Sequence, residues 1–190
     1  MKNIACLFGS FNPIHKGHLH LGDKILNEMP QIDEIWYVCS PHNPHKNKSD
    51  LLDENIRLEM INLSLTGKDK FKSCDIEFEL DRPSYTYKTL KHLKENYNHN
   101  FHIVMGTDVI NNITLWENYN EIIEHPIIHF NRDNEDITVD LDLNITTLKS
   151  EVSLSSTFIR NKIKDGDTEG LKGLLTDGVL NFIRSNKYYL

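Results

Sequence analysis

Lys2-Asn3-Ile4-Ala5-Cys6-Leu7-Phe8-Gly9-Ser10-Phe11-Asn12-Pro13-Ile14-His15-Lys16-Gly17-His18 is the stretch on which the fold turns. Residues 2–8 make a compact apolar run, the pattern of a strand buried on both faces, and they read as the first, central strand of a parallel sheet. Gly9-Ser10 ends the run. From 16 to 29 the apolar residues Leu19, Leu21, Ile25, Leu26 and Met29 recur at helical spacing until Pro30 stops the pattern. Strand, glycine turn and helix in that order open an α/β fold.

The rest of the chain continues the alternation. A second strand is predicted over 34–39, a polar loop over 40–48, and a helix over 53–65 carrying Ile56, Leu58, Met60, Ile61 and Leu65, stopped near Gly67. Residues 73–80 place Ile76, Phe78 and Leu80 on one face and are predicted to be a strand near the sheet edge. A helix follows over 86–97, a buried strand over 101–105 ending at Gly106, a helix over 115–125 and a strand over 127–130. A last strand over 144–148 precedes helices at 156–164, around 171–175 and at 179–187. No repeat, low-complexity tract or linker interrupts this order. The expectation is one continuous domain over 1–190, Rossmann-like and doubly wound on a mainly parallel sheet, with a small helical part from about 150 to 190.

The 190 residues hold 21 Lys+Arg against 28 Asp+Glu, a formal charge of −7, which argues against a broad surface for nucleic acid or anionic membrane. Four of those seven net negatives lie in 131–142, where Asp133, Glu135, Asp136, Asp140 and Asp142 face Arg132 alone, and a solvated loop or hairpin is expected there. With 38% hydrophobic and 26% charged residues the chain is neither disordered nor fibrous. No apolar run approaches a membrane span and the opening segment is too short for a signal peptide, so a cytoplasmic location is expected. Cys6, Cys39 and Cys74 are odd in number and more than thirty residues apart, unlike a disulfide framework or a zinc site, and read as buried apolar residues on strands.

The chemistry is concentrated in two places. After the first strand, His15 and His18 stand three apart, the second in the first turn of a helix. Unpaired helical N–H groups, the positive end of the helix dipole and two imidazoles then surround one point. That point suits a polyphosphate, and glycines at 9 and 17 allow close approach. An H-x-x-H pair is weak by itself, and no Cys or acidic residue lies nearby at metal-ligand spacing. Neither G-x-x-x-x-G-K-[ST] nor G-x-G-x-x-G occurs, which speaks against a P-loop nucleoside triphosphatase and a nicotinamide dehydrogenase. Near the other end, Leu154-Ser155-Ser156-Thr157-Phe158-Ile159-Arg160 offers a good N-cap at Ser155 and a guanidinium one turn in, a second anion-ready helix start.

His15-Lys16-Gly17-His18 and Ser155-Ser156-Thr157-Phe158-Ile159-Arg160 resemble the two signatures of the H-x-G-H nucleotidyltransferases. Asn43-Pro44-His45-Lys46, Arg82-Pro83-Ser84-Tyr85-Thr86, Gly106-Thr107-Asp108 and Leu115-Trp116, in the same order along the chain, resemble the bacterial nicotinate-nucleotide adenylyltransferases. Against that family's usual pattern, Asn12 stands for Asp, Asn43 for Pro and Thr107 for Ala.

The resemblance implies adenylyl transfer from MgATP to nicotinate mononucleotide, giving deamido-NAD and pyrophosphate, with Mg²⁺ carried by the ATP phosphates rather than by a protein cage. It implies His15, His18 and Arg160 as catalytic residues. ATP would be bound by Gly9, Ser10, Phe11, His15, His18, Lys46, Gly106, Asp108, Ser156, Thr157 and Arg160. The mononucleotide would meet Ser10, Phe11, Lys46, Thr86, Asp108 and Trp116, with the indole stacked on the pyridine ring. Other histidines, such as His92, His99, His102, His125 and His129, have no motif around them and read as surface or packing residues. Two rival readings stay open. One is a sister enzyme using phosphopantetheine, nicotinamide mononucleotide or a phosphorylated alcohol as acceptor; the other is a nucleotide-binding module without catalysis. A homo-oligomer is equally open, and neither nucleic acid nor membrane is expected as a partner.

Overall fold

The opening apolar run is a strand because helices cover it on both sides. In the computed structural model, which describes residues 1–42, 51–131, 135–150, 154–167 and 169–190, β1 spans Asn3–Gly9. Its odd-numbered Ala5 and Leu7 belong to one apolar core, and its even-numbered Ile4 and Cys6 to another on the opposite face. Around β1 the chain lays down α1 (Lys16–Glu28), β2 (Glu34–Cys39), α2 (Glu54–Leu65), β3 (Phe71–Cys74), a 3₁₀ turn (Ile76–Glu79), α3 (Thr86–Asn96) and β4 (Asn100–Gly106). There follow α4 (Thr107–Asn111), a 3₁₀ turn (Ile113–Leu115), α5 (Tyr119–Ile123), β5 (Ile127–Asn131), β6 (Ile145–Lys149), α6 (Ser156–Lys164) and α7 (Asp177–Asn186).

All strand pairs are parallel and the order is β3-β2-β1-β4-β5-β6. That is the doubly wound Rossmann-like arrangement, with the topological switch between β1 and β4. Ile25 of α1, Met60 and Ile61 of α2, Ile159 and Ile163 of α6 and Val179, Leu180 and Ile183 of α7 fill the first core. Leu90 and Leu93 of α3, Ile110 of α4 and Ile122 of α5 fill the second. On the first face α1 lies so close to the sheet that a Cβ at Gly22 would come within 2.6 Å of Phe71 Cε1 and Tyr37 Oη. Cys6, Cys39 and Cys74 are buried free thiols, and burial pushes the Cys39 thiol up to about 12. No helix among the described residues is long and apolar enough to cross a membrane.

Three expectations need correction. The alternation at 73–80 is not a strand. β3 ends at Cys74, and a 3₁₀ turn swings Glu77 inward, 2% exposed, to accept a hydrogen bond from Thr89 Oγ1 at 2.9 Å. A buried polar contact thus outcompetes the period-two pattern. The helix expected at 115–125 begins only at Tyr119, because Trp116 is extended and Asn118 is left-handed with φ 51. The unexpected α4 occupies 107–111 instead. Around 171–175 the chain makes turns rather than a helix; Leu171 and Leu175 are buried, while Gly170 and Gly173 weaken helical continuation. The acidic stretch meets the expectation of a solvated loop: residues 135–144 form no helix or strand, Glu135, Asp136, Asp140 and Asp142 are exposed, and Ile137, Val139, Leu141 and Leu143 are partly buried against the second core.

Candidate active site

Two helix starts meet at one loop. Residues 10–15 lead from β1 into α1 with Phe11 at φ 44, an angle rare for a bulky side chain. Packing holds it there: the Phe11 ring lies edge-on to His18 at 5.0 Å and to Tyr37 at 5.7 Å. His15 is the N-cap of α1, and its backbone N–H donates to Nδ1 of His18 at 3.2 Å. A backbone N–H can only donate, so Nδ1 accepts and the neutral His18 ring carries its proton on Nε2. The two imidazoles stack with centroids 3.7 Å apart and planes 21° from parallel. Gly17 permits the stack, since a Cβ there would sit 3.0 Å from His15 Nδ1 and 3.3 Å from Leu154 Cβ.

The second motif is carried to this loop by α6. Ser155 caps the helix, accepting from the Phe158 N–H at 3.2 Å. Ser156 Oγ donates to the Pro13 carbonyl at 2.9 Å, and Arg160 Nη1 donates to the Asn12 carbonyl at 3.0 Å. Arg160 Nη2 also reaches Thr157 Oγ1 at 3.3 Å. Residues 143 and 148 positions apart are therefore joined directly, and the N-termini of α1 and α6 come together.

Beneath the loop lies a group that the sequence does not advertise. Arg57 of α2 is fully buried, and its guanidinium donates to the carbonyls of Leu52 (2.8 Å), Ser10 (2.6 Å), Ser40 (2.8 Å) and Pro41 (3.2 Å). It ties the loop after β1 to the loop after β2. Read along the helix, an Arg between Ile56 and Leu58 looks like any surface charge. His129 was likewise without a motif. It is 2% exposed in β5, bridges Thr107 Oγ1 (2.9 Å) and Thr147 Oγ1 (3.1 Å), and burial pushes its pKa down. The hydroxyl at position 107 thus has a structural partner at the start of α4. A lone His inside the apolar run Ile127-Ile128-His129-Phe130 was the available signal.

A cavity of about 220 Å³ opens where β1 and β4 end, the place where open α/β sheets bind ligands. Phe8 of β1 and Val104 to Gly106 of β4 form its floor, Phe11, His15 and His18 one wall, and Thr86 and Trp116 another. Seven of the expected site residues therefore relate to it directly: Phe11, His15, His18, Thr86, Gly106 and Trp116 line it, and Arg160 is hydrogen bonded to its loop. Gly9 and Ser10 lie in that loop, and the Ser10 hydroxyl is buried with no hydrogen-bond partner among the described residues. Ser156 and Thr157 flank it on α6. Asp108 is exposed in the first turn of α4 and does not line the cavity. Lys46, with Asn43, Pro44 and His45, lies outside the described residues. Among the described residues no group of three or more His, Cys, Asp or Glu is placed to hold a metal ion.

A family model described as cytidylyltransferase-like matches residues 6–162. A protein of Flavobacterium johnsoniae named as a probable nicotinate-nucleotide adenylyltransferase is 42% identical, covering 98% of both chains. One of the same name from Flavobacterium psychrophilum is 38% identical over the same shares. The solved nicotinic acid mononucleotide adenylyltransferase of Plasmodium falciparum complexed with NaAD superposes with a TM-score of 0.80 at 22% identity, over 100% of this chain and 98% of that one. That last likeness is one of fold.

Proposed function

The chain belongs to the cytidylyltransferase-like family and, within it, to the nicotinate-nucleotide adenylyltransferases, and from that membership we propose how its own side chains carry the reaction. The protein transfers the adenylyl group of ATP to nicotinate mononucleotide in NAD biosynthesis, releasing pyrophosphate. An oxygen of the mononucleotide phosphate forms a bond to the α-phosphorus of ATP, and the bond from that phosphorus to the pyrophosphate oxygen breaks. The attacking oxygen is already ionised at neutral pH, so no general base is required. The work lies in bringing two anions together and stabilising charge on the α-phosphate and the leaving group.

The observation that carries the assignment is the junction of the α1 and α6 N-termini, sealed by Ser156 to Pro13 and Arg160 to Asn12. With both helix starts joined to one loop, their positive dipole ends and remaining N–H groups suit a triphosphate bound there. His18 offers its Nε2–H to the α-phosphate, and His15, stacked on it, takes a neighbouring phosphate oxygen. Thr157 and Arg160, with the helix-start backbone at Ser156, hold the β- and γ-phosphates, the guanidinium in two-pronged contact. Lys46 adds charge on the same side. Mg²⁺ enters as part of the substrate, on phosphate oxygens and water.

Gly9, Ser10 and Phe11 supply the turn against which the nucleotides lie, and Gly106 the backbone facing them across the switch point. Thr86 and Trp116 receive the nicotinate mononucleotide, with the half-buried indole stacked on the pyridine ring, and Asp108 reaches a ribose hydroxyl. The chain is expected to act in the cytoplasm. Pyrophosphate release from MgATP with nicotinate mononucleotide tests the reading. His18→Ala is expected to lower kcat by about 10²–10³ with an unchanged circular dichroism spectrum. A folded His18→Ala enzyme turning over at the parent rate would remove His18 from the phosphate site.

A further inference from the structure

We propose that Tyr189 is a positioning residue for the transfer: its hydroxyl fixes the Asn12 side chain and, through that residue, the carbonyl on which Arg160 rests. The inference builds on the reading of Arg160 given above. Tyr189 Oη donates to Asn12 Oδ1 at 2.8 Å, across 177 residues of chain. The same oxygen accepts the Leu52 N–H at 3.3 Å, so Asn12, only 6% exposed, is gripped from two directions. Its carbonyl receives Arg160 Nη1 at 3.0 Å, and the next carbonyl, of Pro13, receives Ser156. One residue, Asn12, therefore connects the phenol to the guanidinium.

The approach of Tyr189 to the loop is built with some care. After α7 the chain turns back through Lys187 at φ 56, with Lys187 N–H bonded to the Arg184 carbonyl and Tyr188 N–H to that of Ile183. The Tyr188 ring packs on Phe182 at 5.5 Å. Tyr189 itself is left-handed at φ 66. Two side-chain-bearing residues in the left-handed region within three positions are unfavourable locally and persist where tertiary contacts hold them. The contact they deliver here is the phenol on Asn12. Burial pushes the phenol pKa up, so the group remains a hydrogen-bond donor throughout the neutral range.

Removing the hydroxyl takes the shorter of the two bonds described here from Asn12 Oδ1, and the loop under Arg160 is held less firmly. A guanidinium displaced from its approach to the β- and γ-phosphates loses stabilisation that counts only in the transition state. Tyr189→Phe keeps the ring and its packing. Its kcat is expected to fall about five- to tenfold, the weight of one hydrogen bond, while KM for nicotinate mononucleotide stays within about twofold. A residue that merely supports the fold would lower the melting temperature and leave kcat per folded molecule unchanged.

A double-mutant cycle on pyrophosphate release separates the possibilities. Arg160→Ala alone tests the reading of the phosphate site, and parent-like turnover there would sink that reading. If Arg160→Ala is impaired, Tyr189→Phe in that background is expected to cost less than about twofold more, because the group through which it acts is gone. Unchanged kcat in Tyr189→Phe alone, or the same five- to tenfold loss repeated on top of Arg160→Ala, overturns the positioning role.

Discussion

At Gly17 a single methyl group decides whether two imidazoles can stack. The His15 ring lies 3.0 Å from where a Cβ would stand, and Leu154 closes the other side at 3.3 Å, so a methyl group here makes each neighbour shift by a few tenths of an ångström. Gly17 lies in the second position of α1, where alanine would favour the helix by about 0.5–1 kcal/mol. Gly17→Ala therefore sets helix propensity against a steric push on the catalytic pair. The expected outcome is a thermal midpoint moved by only a few degrees and a kcat/KM for ATP reduced at least about tenfold. Differential scanning fluorimetry beside steady-state kinetics reads both; full activity would show that the stacking of His15 on His18 is dispensable. The pair itself was legible in the sequence, because the spacing of two histidines across a helix start is a local property. That His18 accepts from the His15 backbone and so presents Nε2–H was not, because the N-cap geometry sets it.

Among the elements, α2 shows how tertiary context reassigns a residue. Its Arg57 has no exposed surface and donates to four carbonyls of the segments around it, including Ser10 in the loop after β1. Arg57→Met fills much the same volume but leaves those buried carbonyls without a donor. Unfolding in urea is expected to show a loss of roughly 3 kcal/mol, with the two loops loosened together. A loss below about 0.5 kcal/mol would mean that the carbonyls find other partners. Two of the misread elements show how polar residues override the pattern. Glu77 turned inward toward Thr89 where alternation pointed it to water, and a predicted helix was divided because Asn118 took a left-handed angle. Periodicity reports which residues are apolar. It does not report which polar residue has found a buried partner.

For the whole molecule, charge is distributed by function. Glu34 is 6% exposed at the start of β2, the end of the sheet away from the cavity, and ties three neighbouring strands by ion pairs with Lys2 and Lys72. Burial pushes its carboxyl up, but hydrogen bonds from Lys2, Trp36 and Lys72 outweigh that and hold it at about 2. A carboxyl depressed on folding stabilises the native state above its unfolded pKa near 4.5, and that contribution is lost as pH falls toward 2. With both lysines about half exposed, it amounts to on the order of 2 kcal/mol. Glu34→Gln is expected to be less stable than the parent at pH 7, to converge with it only as the pH approaches 2, and to keep the parent kcat. Parallel stability curves for the two proteins across that range would refute the pairing. The chain's net charge of −7 is no bar to two anionic nucleotides, because Glu135, Asp136, Asp140 and Asp142 are exposed, while the cavity's wall is made of histidines beside two helix N-termini.

By itself the sequence determined the parts: the central apolar strand, the turn with His15 and His18, the capped helix with Ser156 and Arg160, and the βαβ alternation that demands a parallel sheet. These depend on neighbours within a few positions, and local spacing records them. Only the tertiary structure decided the strand order β3-β2-β1-β4-β5-β6, the meeting of α1 with α6 and the places of Arg57 and Tyr189. Each of those rests on contacts between residues tens to well over a hundred positions apart. A polar side chain has the same local pattern whether it ends in water or on a buried carbonyl, and the difference arises only when the chain closes on itself.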